Sequence, residues 1–192
     1  MALTSTQRGV LGQSEAAKLI VWGSDGEVEV AWPWTDDAHR DIEGHLRRGF
    51  GSPLALQVKT TWRLWTHRNS EIIQIPFSLP KSRVLDDPRF YYLFGLMDPA
   101  SMTYRDPVFF ASSADVHAQA MPRLVDGRWR FTFQASLKPS AHDRWSPQQV
   151  HPLDLGRRVL TVMRELDREM RRAGMTAEFL PRSGLYLVRK AA

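Results

Sequence analysis

Leu54-Ala-Leu-Gln-Val-Lys-Thr-Thr-Trp62 is the stretch on which the reading of this chain turns. As a β-strand, its side chains alternate between two faces. Leu54, Leu56, Val58, Thr60 and Trp62 fall on one side, and Ala55, Gln57, Lys59 and Thr61 on the other. An amide and an ammonium two residues apart, on a strand whose opposite face is mostly apolar, need a reason. One reason is an edge strand with one face in water, which is ordinary in antiparallel sheets. The other is that the face carrying Gln57 and Lys59 is a site.

Upstream, Arg40-Asp41-Ile42-Glu43-Gly44-His45-Leu46 alternates as well, with Asp41 and Glu43 on one face and Ile42 and Leu46 on the other. The segment between the two, Arg47-Arg-Gly-Phe-Gly-Ser-Pro53, is rich in turn formers, so an antiparallel hairpin is expected that brings Asp41 near Gln57 and Lys59. A carboxylate, an amide oxygen and a lysine converging on one sheet face can hold a hard cation beside an activated water. Mg²⁺ takes oxygen ligands, commonly needs only one or two carboxylates, and completes its shell with water and substrate phosphate. Asp36 and Asp37 are rival acidic ligands, ranked lower because a loop holds a ligand less firmly than a strand.

The order of these parts resembles the PD-(D/E)xK nuclease superfamily: a helix opening Gly9-Val-Leu-Gly12-Gln13-Ser-Glu15-Ala-Ala17, a strand, Asp41, then Gln57-Val58-Lys59-Thr60. It is most similar to the bacterial branch that writes the last motif as Gln-x-Lys, as certain homing endonucleases do. The resemblance spans Gln7 to Thr61. It implies an α/β fold with a restriction-endonuclease-like core, a mixed β-sheet flanked by helices. It also implies a metal-dependent endonuclease that hydrolyses phosphodiester bonds of nucleic acid, DNA in the first place, with Mg²⁺ or Mn²⁺ as cofactor. Asp41 is then implied as a metal ligand, Gln57 as a second through its side-chain oxygen, and the Val58 carbonyl as a third. Lys59 is implied to position the attacking water and offset charge on the scissile phosphate. Relatives that cut duplexes usually oligomerise, so a homo-oligomer is in view.

One position departs from that pattern. The family usually carries Glu on the first helix where this sequence has Gln13. At about 100° per residue, Gln13 shares a face with Val10, Ala16, Ala17 and Ile20 and is expected to point inward, with Glu15 on the opposite side. An amide in place of a carboxylate removes one negative charge near the metal. The alternative reading is therefore a catalytically inactive nuclease-like fold that binds nucleic acid or a protein partner. A pure protein–protein module, without salt-dependent DNA affinity, is the blandest reading.

The rest of the chain fits one domain over 1–192, with a core of roughly 6–111 and a C-terminal strand–helix extension of roughly 125–192. No cysteine is present, so disulfides and thiolate zinc sites are excluded. None of the six histidines has zinc spacing, and no P-loop, Gly-x-Gly-x-x-Gly or Gly-x-Ser-x-Gly occurs. No apolar run approaches about 18 residues and no signal h-region is read, so a cytoplasmic protein without a membrane span is expected. The 26 Lys and Arg against 21 Asp and Glu give +5, compatible with a polyanionic partner. The excess of arginine fits phosphate binding or coding bias equally well.

Downstream of Lys59, Trp62 to Arg68 interleaves aromatic and basic residues. Arg63 and Arg68 are candidate nucleic-acid contacts, while Trp62 and Trp65 read as core. Lys81 and Arg83, in a loop, could touch a backbone phosphate, although a solvated loop explains them more simply. A strand is expected over Glu71–Phe77, with Pro76 arguing against a central one, and a buried central strand over Arg89–Met97. Asp126-Gly127 reads as a hairpin turn leading into a half-exposed strand, Arg128–Gln134. Leu153–Ala173 reads as a helix with an apolar stripe of Leu155, Val159, Val162, Leu166 and Met170. Leu185–Val188 reads as a final edge strand.

Overall fold

The computed structural model describes residues 3–33, 40–47, 53–67, 70–138, 142–173, 175–180 and 185–190, the last two segments by backbone alone. The elements are, in order, α1 (Ser5–Gly23), β1 (Val28–Ala31), β2 (Ile42–Leu46), β3 (Leu54–Thr61), β4 (Trp65–His67), β5 (Ser70–Pro80), β6 (Phe90–Asp98), β7 (Thr103–Tyr104), β8 (Val108–Ser112), α2 (Ser113–Gln119), β9 (Arg123–Val125), β10 (Arg128–Ser136), β11 (Gln149–Val150), α3 (Leu155–Arg172), β12 (Met175–Leu180) and β13 (Leu185–Lys190).

Local chemistry sets many of these boundaries. Thr4 and Gln7 form a capping box, each side chain bonding the other's backbone N–H, and so start α1. Ser112 caps α2 by accepting from the Asp115 N–H. Asp126 and Gly127 both take positive φ, 50° and 72°, as a two-residue hairpin turn requires. Asp143, in the irregular stretch after β10, accepts from the backbone N–H groups of Ser136 and Trp145, so turn chemistry accounts for it.

The main sheet is mixed, in the order β1-β2-β3-β6-β8-β11 with β7 beside β6. Only the β3–β6 pairing is parallel among its described strands. A parallel pair needs a crossover connection, usually a helix. Here the crossover contains β4 and β5, which join β10 and β9 in a second, four-stranded antiparallel sheet. Helices α1 and α3 cover one face of the main sheet. There Leu54, Leu56 and Val58 of β3 pack with Ala16, Ile20, Val159 and Met163. The second sheet covers the other face, where Tyr92 and Phe94 of β6 pack with Ile75, Phe131 and Phe133. The rings of Phe94 and Phe133 stack with centroids 3.9 Å apart. The result is an α/β fold with a mixed sheet flanked by helices.

Two expectations change in form. Pro76 does lie inside a long strand, opposite Thr132 of β10. The Thr132 N–H turns away to the Ala120 carbonyl, so this register position exchanges no ladder bonds, and β4 stops pairing at Ile72. The missing proline donor therefore faces no strand. Leu185–Lys190 is an edge strand, but of a separate sheet. It pairs with β12, which periodicity did not reveal, in a two-stranded ribbon. No helix among the described residues is long and apolar enough to cross a membrane.

The contact between α1 and α3 depends on Gly156. A Cβ there would lie 2.3 Å from the Ile20 carbonyl oxygen and 2.5 Å from the Ser24 nitrogen, both backbone atoms that cannot swing aside. Gly156→Ala should therefore destabilise the fold by about 2–3 kcal/mol, the upper range for overpacking. Chemical denaturation checks this; an unchanged midpoint would mean that the two helices slide apart at little cost.

Candidate active site

The hairpin of β2 and β3 forms as the alternation predicts, with Ile42 opposite Leu56 and Gly44 opposite Leu54. Asp41 lies just before β2, and its N–H donates to the Leu56 carbonyl at 2.8 Å. That bond fixes the Asp41 backbone against β3. Its carboxylate then reaches along β3, where Oδ2 accepts from Gln57 Nε2 at 2.6 Å and from the Val58 N–H at 2.7 Å. β2 has ended at this level, so the carboxylate takes the donor that a longer partner strand would have used.

The structure thus brings Asp41, Gln57 and Val58 into direct contact. Lys59 shares the face of Gln57, and its Nζ lies 5.9 Å from the centroid of the Phe77 ring on β5. The face is closed to water at Gln57 and half-open at Ala55, Lys59 and Thr61. Gln57 is only 3% exposed, because the crossover strand β5 and its sheet lie over it. A strand flanked by β2 and β6 with layers on both faces is also not an edge strand over its first half. From Gln57 onward, however, β3 pairs only with β6, and Asp41 occupies the vacated side.

One atom of this cluster stands out. Gln57 Oε1 is buried and has no hydrogen-bond donor. A buried acceptor left without a donor is costly, and turning the amide over would bring Oε1 against the Asp41 carboxylate. A donor from water, or a cation shared with Asp41, would satisfy that oxygen, and Asp41 is only half-buried. The available donors, a carboxylate oxygen, an amide oxygen and a strand carbonyl, are all hard oxygens, the set that suits Mg²⁺ or Mn²⁺. The residues present therefore fit a hard divalent ion. Among the described residues, no group of three or more His, Cys, Asp or Glu gathers that could hold a metal by those side chains alone. Glu43, on the same face as Asp41, is committed elsewhere: it pairs with Arg40 at 2.5 Å and lies 3.7 Å from His45. The His45 hydrogen bond, and secondarily Arg40, hold its carboxyl below the usual range against the opposing effect of burial.

The first helix is phased differently from the expectation. Val10 is 54% exposed, Gln13 is half-buried, and Glu15, expected on the far side, is only 7% exposed. Glu15 pairs with Lys18 at 2.5 Å. The helix is rotated because Gly12 presses on β3: a Cβ there would lie 2.1 Å from Thr60 Oγ1. The Tyr104 hydroxyl donates to the Gly12 carbonyl at 2.9 Å and lies 3.1 Å from Thr60 Oγ1. Burial raises its pKa, which the Thr60 bond partly offsets. Among the described residues, Gln13 makes no hydrogen bond to Asp41, Gln57 or Lys59.

Of the outlying cations, Arg63 stacks on Trp65, with its guanidinium carbon 3.8 Å from the ring centroid. Trp62 packs on the α1–α3 core. Lys81 and Arg83 are exposed on a 3-10 turn whose Lys81 N–H bonds the Gly127 carbonyl. Arg68, like Asp36 and Asp37, lies outside the described residues.

Periodicity missed a polar chain next to the cluster. Tyr92 stands opposite Gln57 in the β3–β6 register. Its hydroxyl lies 2.9 Å from His117 Nε2, and His117 Nδ1 lies 2.6 Å from Asp86 Oδ1. Burial raises the tyrosine pKa strongly, and the charges of Asp86 and Asp41 add to it. The available signal was a tyrosine inside an apolar strand, whose hydroxyl needs a partner when buried.

No family model matches the sequence, and no curated protein matches it. In three dimensions the chain is similar to the structure of a bacterial homing endonuclease, with a TM-score of 0.52 at 12% identity, covering 88% of this chain and 99% of the other. At that identity the likeness is one of fold, and the fold is nuclease-like.

The hydrogen bonds of Asp41 carry a structural expectation. Asp41→Ala strips acceptors from a buried amide and a buried N–H, which should lower stability by about 1–3 kcal/mol, read by urea denaturation without divalent ions. A loss near zero would mean that water replaces the carboxylate and that the cluster is wetter than its burial indicates.

Proposed function

We propose that this chain is a metal-dependent endonuclease that hydrolyses phosphodiester bonds of DNA, with Asp41, Gln57 and Lys59 as its catalytic residues. The observation that carries the reading is the Asp41 carboxylate locked onto Gln57 and Val58, with Gln57 Oε1 buried beside it and lacking a donor. A nuclease-like fold supports the same class.

In this reading Asp41, the Gln57 amide oxygen and the Val58 carbonyl hold Mg²⁺ or Mn²⁺. The ion supplies Lewis acidity to the scissile phosphate and acidifies water. Asp41 acts from a rigid position, since its N–H and Oδ2 are both bonded to β3. Gln57 contributes oxygen without a second negative charge, which leaves the phosphate less repelled. Lys59 orients the attacking water and offsets charge that develops on the phosphoryl oxygens. Phe77 and the second sheet limit bulk water around the lysine, which strengthens its field.

A second reading keeps the fold and drops the cut: a nuclease-like module that binds nucleic acid. The single carboxylate, Asp41, that the described residues place in the cluster favours it.

Nicking of supercoiled plasmid separates the two. Wild type should nick with Mg²⁺ or Mn²⁺ and stop in EDTA. Asp41→Asn, which keeps the size of the side chain, and Lys59→Met should each slow nicking by roughly 10²-fold or more. Metal-independent binding with no nicking under any of these conditions would move the assignment to the binding module.

A further inference from the structure

The second sheet has two faces of opposite character. Its inner face is aromatic and closes the site. Along β10 the outward positions alternate with these and carry Arg128, Arg130, Thr132 and Gln134. β9 adds Arg123 directly opposite Arg130, and β5 adds Gln74 directly opposite Gln134. None of the outward residues on these four strands is acidic. The neighbouring carboxylates, Asp126 and Asp143, lie beyond the strand ends, and Asp143 is taken up by the N–H groups of Ser136 and Trp145.

Some arginines elsewhere are matched with carboxylates. Arg89 pairs with Asp167, Arg164 with Glu27, Arg157 with Asp154 and Arg105 with Glu71. Arg123 and Arg130 have no carboxylate partner among the described residues, although they stand as cross-strand neighbours, and Arg128 bonds only Ser78. Like charges directly opposite each other in a sheet are destabilising. The fold tolerates that repulsion where a carboxylate on either strand would have removed it.

We infer that the outer face of this sheet is a docking surface for duplex DNA, with the Arg123–Arg130 pair on backbone phosphates. Charge complementarity is the first argument: a polyanion relieves the repulsion that the free protein carries. Dimensions are the second. Nine register pairs join β5 and β10, so this ribbon runs about 30 Å at ~3.3 Å per residue, close to the ~34 Å of one turn of B-DNA. Composition is the third, since the facing amides of Gln74 and Gln134 can donate to and accept from base edges. The inference rests on the nucleic-acid part of the proposal above, but not on hydrolysis.

The test measures anisotropy of a fluorescent mixed-sequence DNA duplex in EDTA across a range of salt concentrations. Wild type is compared with the double variant Arg123→Gln/Arg130→Gln. Loss of two phosphate contacts should weaken binding roughly tenfold or more and reduce the slope of log affinity against log salt by about 1.8. The melting temperature of the variant should stay level or rise, because a like-charge pair is removed. Identical affinity and slope in the variant would overturn the inference, and metal-dependent nicking by wild type would then leave the nuclease reading in place. Weakened binding by the variant, with a wild type that never nicks, would uphold this surface while hydrolysis falls. Displacement of the duplex by polyglutamate at equal charge, through the same two arginines, would make the face a site for acidic protein and overturn the assignment to DNA.

Discussion

The bond between the half-buried Asp41 carboxylate and the buried Gln57 amide organises this molecule. Oδ2 of Asp41 is satisfied because β2 ends where β3 continues. The three register pairs of the β2–β3 hairpin stop at Ile42, which leaves the Val58 N–H and the Gln57 side chain facing the residue just before the strand. Meanwhile β6 keeps β3 straight by pairing alongside it from Ala55 to Thr61. The opposite face of β3 is fixed by apolar packing on α1 and α3, so β3 cannot rotate to expose Gln57 without moving Leu56 and Val58 out of their core. The cluster is thus held by the fold rather than by its own few bonds, which add about 1 kcal/mol each.

The parallel β3–β6 pair supplies the second half of the arrangement. A helical crossover would have left the Gln57 face beside a convex surface. Here the crossover strand β5 pairs with β10 along nearly its whole length, and its inward side chains bring Phe77 over Lys59 and Ile73 and Ile75 into the core. The connection that topology demands therefore also becomes the cover of the site.

The sequence made local and alternating features legible because they depend on residues near each other in the chain. The hairpin, the contact of Asp41 with Gln57, the apolar stripe of α3 and the turn at Asp126 all follow from period and turn chemistry. What stayed hidden depends on distant partners. The strand pattern of Glu71–Phe77 does not state that its partner is Arg128–Ser136 or that their sheet covers Gln57. The phase of α1 does not follow from its apolar residues, which spread around the helix. Gly12, whose importance lies in lacking a side chain against Thr60, leaves no hydrophobic signal. The Tyr92–His117–Asp86 chain joins residues up to 31 positions apart, a spacing that no periodicity records.

Part of the distribution of arginine becomes intelligible once the layers are known. Composition alone left phosphate binding and coding bias level. A genome-wide bias would place arginines without regard to partner, and carboxylates would then be as common beside the arginines of the second sheet as beside those of the helices. Carboxylate partners do not divide the arginines by layer, since Arg158, Arg168, Arg171 and Arg172 of α3 have none among the described residues. Arg157 and Arg164 of α3 have carboxylate partners, and Arg123 and Arg130 have none among the described residues. What sets Arg123 and Arg130 apart is that they stand directly opposite each other on a sheet face without an outward acid. β5 and β10 contribute the aromatic cover of Lys59 on one face and the unneutralised cations on the other. Any shift in how these strands pack on β6 would therefore alter both the shelter of the site and the placement of the positive face.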